Sequence, residues 1–159
     1  MIRYSLLIIS LIVFFLSCEK PPIYDDIPTI SWEGFSVDTV DQYSGSVTFT
    51  FNFTDGDGNL GSDFDSVQDI IIVDTRRTPN DTSFYKLPVI EPDGNISGIS
   101  GQIEIDVSLL CCISPSNPLI VCQPIPNYYD SVQYVLRIRD QEGNWSNELE
   151  TSTLHIRCQ

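Results

Sequence analysis

VTFTFNFTDGDGNLG, residues 47–61, is the stretch whose reading decides the fold. Val47, Phe49, Phe51 and Phe53 alternate with Thr48, Thr50, Asn52 and Thr54. A strand over these residues therefore lays its apolar side chains on one face and its polar ones on the other. Phenylalanine and β-branched threonine both suit a pleated, half-buried surface. The alternation stops at Asp55, where Asp55-Gly56-Asp57-Gly58-Asn59 brings in the residue types that turn a chain.

The same period recurs on either side. Val132, Tyr134, Leu136 and Ile138 oppose Gln133, Arg137 and Arg139, and near the C-terminus Leu154, Ile156 and Cys158 share one face. Further strands are predicted over 29–37, 67–74, 83–90 and 101–109, with turns at 55–58, 79–80, 93–94 and 143–144. No segment after the N-terminus carries a helical period. About seven short strands in one domain predict an all-β fold, an immunoglobulin-like antiparallel β-sandwich over residues 28–159. The stretch CCISPSNPLIVCQPIPN (111–127), rich in proline and cysteine, reads as a long irregular loop.

Upstream of this domain the chain changes character. Arg3 supplies a positive start, and residues 6–16 are apolar apart from Ser10. Phe15-Leu16-Ser17-Cys18 then puts a small residue before a cysteine. That order predicts a secretory signal over 1–17, and its apolar run is about half the ~20 residues that span a bilayer. The box before Cys18 looks like that of bacterial lipoproteins, so Cys18 is the expected site of lipidation and residues 18–27 the lipidated tether, stiffened by Pro21 and Pro22. Acyl chains on one cysteine hold a protein to a membrane at about 0.8 kcal/mol per buried CH2. The expected address is the outer membrane, with the cell-surface face favoured over the periplasmic one.

Charge narrows the partners. The net charge is −14, and losing residues 1–17, whose one charged side chain is Arg3, takes it to −15. Such a surface repels phosphate backbones and argues against nucleic acid. With Cys18 lipidated, Cys111, Cys112, Cys122 and Cys158 remain, an even number that predicts two disulfides in an exported chain. Adjacent residues of a strand point to opposite faces, so Cys111 and Cys112 should not pair with each other. Cys122 takes one of them and Cys158 the other, in an order that stays open.

The densest chemistry lies at Asp55, Asp57 and Asn59, with Asp63 and Asp65 following. Calcium takes six to eight oxygen ligands, and alternating Asp and Asn with glycine between them can aim several at one point. The EF-hand pattern fails, because its sixth position is Leu60 and its twelfth Ser66. In a sandwich the loop after the second strand and the loop between the last two lie at one end. Asp140 and Asn144 are therefore expected to join Asp55, Asp57 and Asn59 around one calcium ion. Asp-Gly and Gly-Asn are also plain turn formers whose side chains bond their own backbone. His155 is the only histidine and falls on an outward position, and no serine sits in a nucleophile elbow, so no catalytic residue is assigned. Trp32, Trp145, Tyr128 and Tyr129 lie near loops or strand ends, where a platform for sugars or a protein contact could form.

Two segments carry a family likeness. FNFTDGDGNLG (51–61) and LRIRDQEGNWSNELET (136–151), with the lipobox, resemble segments of small immunoglobulin-like outer-membrane lipoproteins of Bacteroidota, especially of flavobacteria. Cys18-Glu19-Lys20 with Asp25-Asp26 resembles their surface-export signals. The family is largely uncharacterised, so the resemblance implies an Ig-like fold and an envelope location and supplies no activity. The expected function is non-enzymatic: a binding or accessory module, calcium-stabilised. The alternatives are a subunit of an outer-membrane import, secretion or assembly complex beside a β-barrel partner, and a carbohydrate-binding module for surface glycans.

Overall fold

The computed structural model describes residues 22–43, 45–64, 68–76, 79–92, 98–108 and 110–159. Cys18, the signal segment, Asp65 and the turn at 93–94 lie outside the described residues. Among the described residues the chain is all-β, with several antiparallel sheets in a sandwich-like arrangement. No helix there is long and apolar enough to cross a membrane.

Strand β3 (Ser46–Asp55) is the decisive stretch, and it organises the first sheet. It pairs antiparallel with β1 (Thr29–Phe35) on one side and with β6 (Ile99–Ser108) on the other. Its alternation is realised residue by residue: Val47, Phe49, Phe51 and Phe53 are buried, and the threonines between them are half-buried. A second sheet runs in the order β11 (Leu149–Glu150), β10 (Tyr134–Ile138), β4 (Ile70–Asp74), β5 (Asp81–Tyr85). A third has β12 (Leu154–Arg157) at its centre, antiparallel to β9 (Tyr129–Val132) and parallel to β2 (Thr39–Asp41). Phe49, Phe51, Leu136, Ile138, Leu154 and Ile156, drawn from all three sheets, are fully buried in one shared core. Burying a side chain of this size stabilises by about 1.5–3 kcal/mol each.

Several expectations need correction. The predicted strand over 83–90 instead begins at Asp81 and ends at Tyr85, because Pro88 cannot extend the ladder. The run from Val132 to Arg139 is broken at Gln133, whose amide reaches the Thr151 carbonyl at 3.1 Å, so it serves two sheets as β9 and β10. The stretch 111–127 is not wholly irregular. It contains a hairpin of β7 (Ile113–Ser114) and β8 (Asn117–Val121).

The two disulfides form as expected, and the open pairing resolves to Cys111–Cys122 and Cys112–Cys158. The first closes the base of the β7–β8 hairpin. The second ties the end of β12 to the chain after β6, beneath buried Gln42, whose Oε1 accepts from the Cys112 amide at 3.3 Å.

Candidate ion site

The candidate site is built where β3 ends. Asp55, its last residue, points inward in step with Phe53 and Phe51, so the alternation that builds the core also buries a carboxylate at 0% exposure. The chain then turns through Gly58, whose φ of +70° is the left-handed conformation that favours glycine. The turn brings Asn59 back, and its amide donates to Asp55 Oδ2 at 2.9 Å. The Asn59 side-chain amide donates to Asp57 Oδ2 at 2.7 Å.

Each of these side chains thus uses one end inside the loop and leaves an oxygen over. Asp55 Oδ1, Asp57 Oδ1 and Asn59 Oδ1 are all buried from solvent and have no hydrogen-bond partner. A buried polar atom without a partner costs about 1–3 kcal/mol, and more when charged. Three in a row at alternate positions is the pattern a hard cation would satisfy. Burial raises the Asp55 pKa to about 6, with Asp57 and Asp140 adding to the rise and the Asn59 amide opposing it. The site is therefore short of positive charge. No group of three or more histidine, cysteine or acidic side chains is arranged to hold a metal among the described residues. Here the oxygens come from two carboxylates and an amide, so backbone carbonyls and water would complete the six to eight of calcium.

The second loop does arrive. Leu60 forms an isolated bridge with Asp140, and the Gln141 amide donates to the Asn59 carbonyl at 3.1 Å. Asp140 is buried, and its charge contributes to the raised Asp55 pKa. Its oxygens are already engaged, however. Asp140 Oδ1 accepts from the Asn144 amide at 2.7 Å and Oδ2 from the Asn144 side chain at 2.8 Å. The turn-forming alternative thus describes 140–144, whereas in 55–59 oxygens remain after the turn is closed. Asp63 is exposed and Asp65 lies outside the described residues.

The rest of the 136–151 motif is structural. Ser146 Oγ accepts from the Ile138 amide at 3.0 Å. The Asn147 side chain accepts from the Ile30 amide at 2.9 Å and donates to the Ile30 carbonyl at 3.0 Å, replacing a neighbouring strand for β1. Trp145 folds back, with the Arg137 and Arg139 guanidinium groups 5.5 and 5.4 Å from its ring centroid. Trp32 packs edge-on against Phe35 and Phe49. Tyr128 is packed against the core, which leaves Tyr129 as the exposed member of the expected aromatic platform. His155 is exposed as expected and pairs across the strands with Ser131 at 3.0 Å.

A second polar centre was missed in the sequence. Arg76 donates to Asp74, and to Asp130 at 2.6 Å, all three being mostly buried, beside a cavity of about 340 Å³ lined by Tyr85, Tyr134 and the Cys111–Cys122 bridge. The signal available was the pair Arg76-Arg77, separated by two residues from the apolar run 70–73, in an otherwise acidic chain. No family model, curated protein or solved structure matches this chain.

Proposed function

We propose that this chain is a non-enzymatic, calcium-stabilised module of the bacterial outer membrane, with an immunoglobulin-like sandwich held to the membrane by lipid on Cys18. The observation that carries the calcium reading is the set of unpartnered buried oxygens on Asp55, Asp57 and Asn59. The lipobox order at Phe15–Cys18 carries the anchoring. The non-enzymatic reading draws support from the cysteines, since all four described ones are held in bridges, and from the solvent-facing position of His155. Titration calorimetry of the full-length chain in detergent tests the ion. One saturable calcium site, lost in Asp55→Ala, is expected; heat that is absent, or unchanged by the substitution, refutes it.

One observation favours the partner-bound alternative. The stapled β7–β8 hairpin carries Leu119 at 80% exposure and Ile120 beside it, apolar surface on a rigid prong. A subunit role predicts stoichiometric co-purification with an outer-membrane β-barrel that Leu119→Glu abolishes.

A further inference from the structure

The ion loop touches the tether. The Gly56 amide donates to the Asp25 carbonyl at 2.7 Å, and a Cβ built on Gly56 would lie 2.4 Å from the Tyr24 carbonyl oxygen and 2.7 Å from the Asp25 carbonyl carbon. The tether backbone therefore lies directly on the residue between Asp55 and Asp57. The contact continues along the sheet edge. The Tyr24 hydroxyl donates to Ser100 Oγ at 3.1 Å, and a Cβ on Gly98 would meet the Tyr24 ring at 3.2 Å. Pro28, where the tether enters β1, is buried, while Ile23 is 98% exposed. The tether is thus held by backbone and one tyrosine, with little apolar burial.

From this we infer that the ion loop is a calcium-dependent latch for the segment that joins the domain to its anchor, an inference that rests on the calcium reading above. With the cation bound, the Asp55–Asn59 turn is closed around it and Gly56 is presented to Asp25. Without it, the Asp55 and Asp57 carboxylates repel each other, and Asp25 and Asp26 bring two more negative charges to the same contact. A docking surface with so little apolar area has little else to hold it.

The consequence is a change of reach. Four chain steps separate Cys18 from Pro22, a span of at most about 14 Å, against about 38 Å for the eleven steps to Thr29 when the tether is free. Calcium would thus hold the domain close to the membrane and fix its orientation, and calcium removal would let it swing out.

The Tyr24–Asp25 peptide bond is the one that docking covers, and chymotrypsin cleaves after tyrosine. The full-length chain in detergent is digested at 20 °C with calcium or with chelator, and cleavage at that bond is followed by mass spectrometry. A peptide of residues 19–30 corrects for any effect of calcium on the protease. Calcium should slow cleavage after Tyr24 by at least about tenfold. Ser100→Ala, which removes the acceptor of the Tyr24 hydroxyl and lies outside the ion loop, should weaken that protection while keeping the calcium-induced rise in melting temperature. If the wild-type chain melts higher in calcium yet is cut at the same rate in both buffers, the latch is wrong and the ion site stands. If calcium changes neither, both fall together.

Discussion

Asp55 is the residue on which the chemistry turns, because its place in the alternation buries it and its second oxygen has no partner. Its pKa in the metal-free chain is about 6, against 3.8 in an ordinary setting, with burial the larger cause and Asp57 the next. A carboxyl whose folded pKa lies above its unfolded one adds stability in full below pH 3.8, and loses it as pH rises through 6. The chelated protein should therefore melt several degrees higher at pH 5 than at pH 7.5. Asp55→Asn should flatten that dependence, raise the metal-free melting temperature at pH 7.5 and remove the response to calcium. Protons compete for the same oxygen, so the calcium-induced rise should shrink at pH 5 in the wild type; scanning calorimetry of both proteins at the two pH values, with calcium and with chelator, reads each of these outcomes. Arg76 makes a different case. Arg76→Met leaves Asp74 and Asp130 mostly buried without their cation, and urea denaturation should show a loss of about 3–5 kcal/mol. The carboxylates at 55 and 57 were legible in the sequence as ligand types. Which of their oxygens would be left over was not, since that depends on how Asn59 folds back. For the same reason the sequence could not show that Asn144 closes on Asp140.

The elements that were read correctly are those whose two faces differ. In β3 four buried apolar residues alternate with half-buried polar ones, and in β6 Ile103, Ile105 and Val107 do the same against Gln102, Glu104 and Asp106. The failures came where tertiary pairing overrode local pattern. β2 is only three residues long and exists because β12 offers it a parallel edge, and β7–β8 forms because Cys111–Cys122 closes its ends. Neither leaves a periodic trace. The disulfide pairing was equally out of reach, since it depends on how far β12 runs beside β9. The two bridges should differ in weight. Loop-closure entropy gives about 4 kcal/mol for Cys112–Cys158, which spans 46 residues, and about 3 kcal/mol for Cys111–Cys122, which spans 11. Paired alanine substitutions of each, compared by chemical denaturation, should keep that order, with the Cys112 and Cys158 pair the more damaging. Asn147→Ala should cost about 1–3 kcal/mol, because it leaves both the Ile30 amide and carbonyl without their partner.

At the scale of the whole molecule, an acidic sandwich-like domain is preceded by a docked tether, and the sequence upstream of it is what we propose to be a secretion and lipidation signal. All-β architecture was legible because alternation and turn residues recur along the chain, whereas the arrangement in four sheets was not, since strand order depends on pairings far apart in sequence. Cys18→Ser should release the protein from the membrane fraction and remove the mass of the acyl chains, read by fractionation and intact-mass spectrometry. The turn that holds the unpartnered oxygens joins the end of β3 to the loop after β10 through the backbone of Asn59 and Leu60, so their satisfaction should be felt by the entire cooperative unit. The most direct test is the thermal unfolding of the full-length chain with calcium in excess, then with chelator, with Asp55→Ala beside it. The account predicts a melting temperature several degrees higher in calcium for the wild type and no difference for the variant. Equal melting temperatures for the wild type in both conditions would contradict it and leave Asp55, Asp57 and Asn59 as turn residues alone.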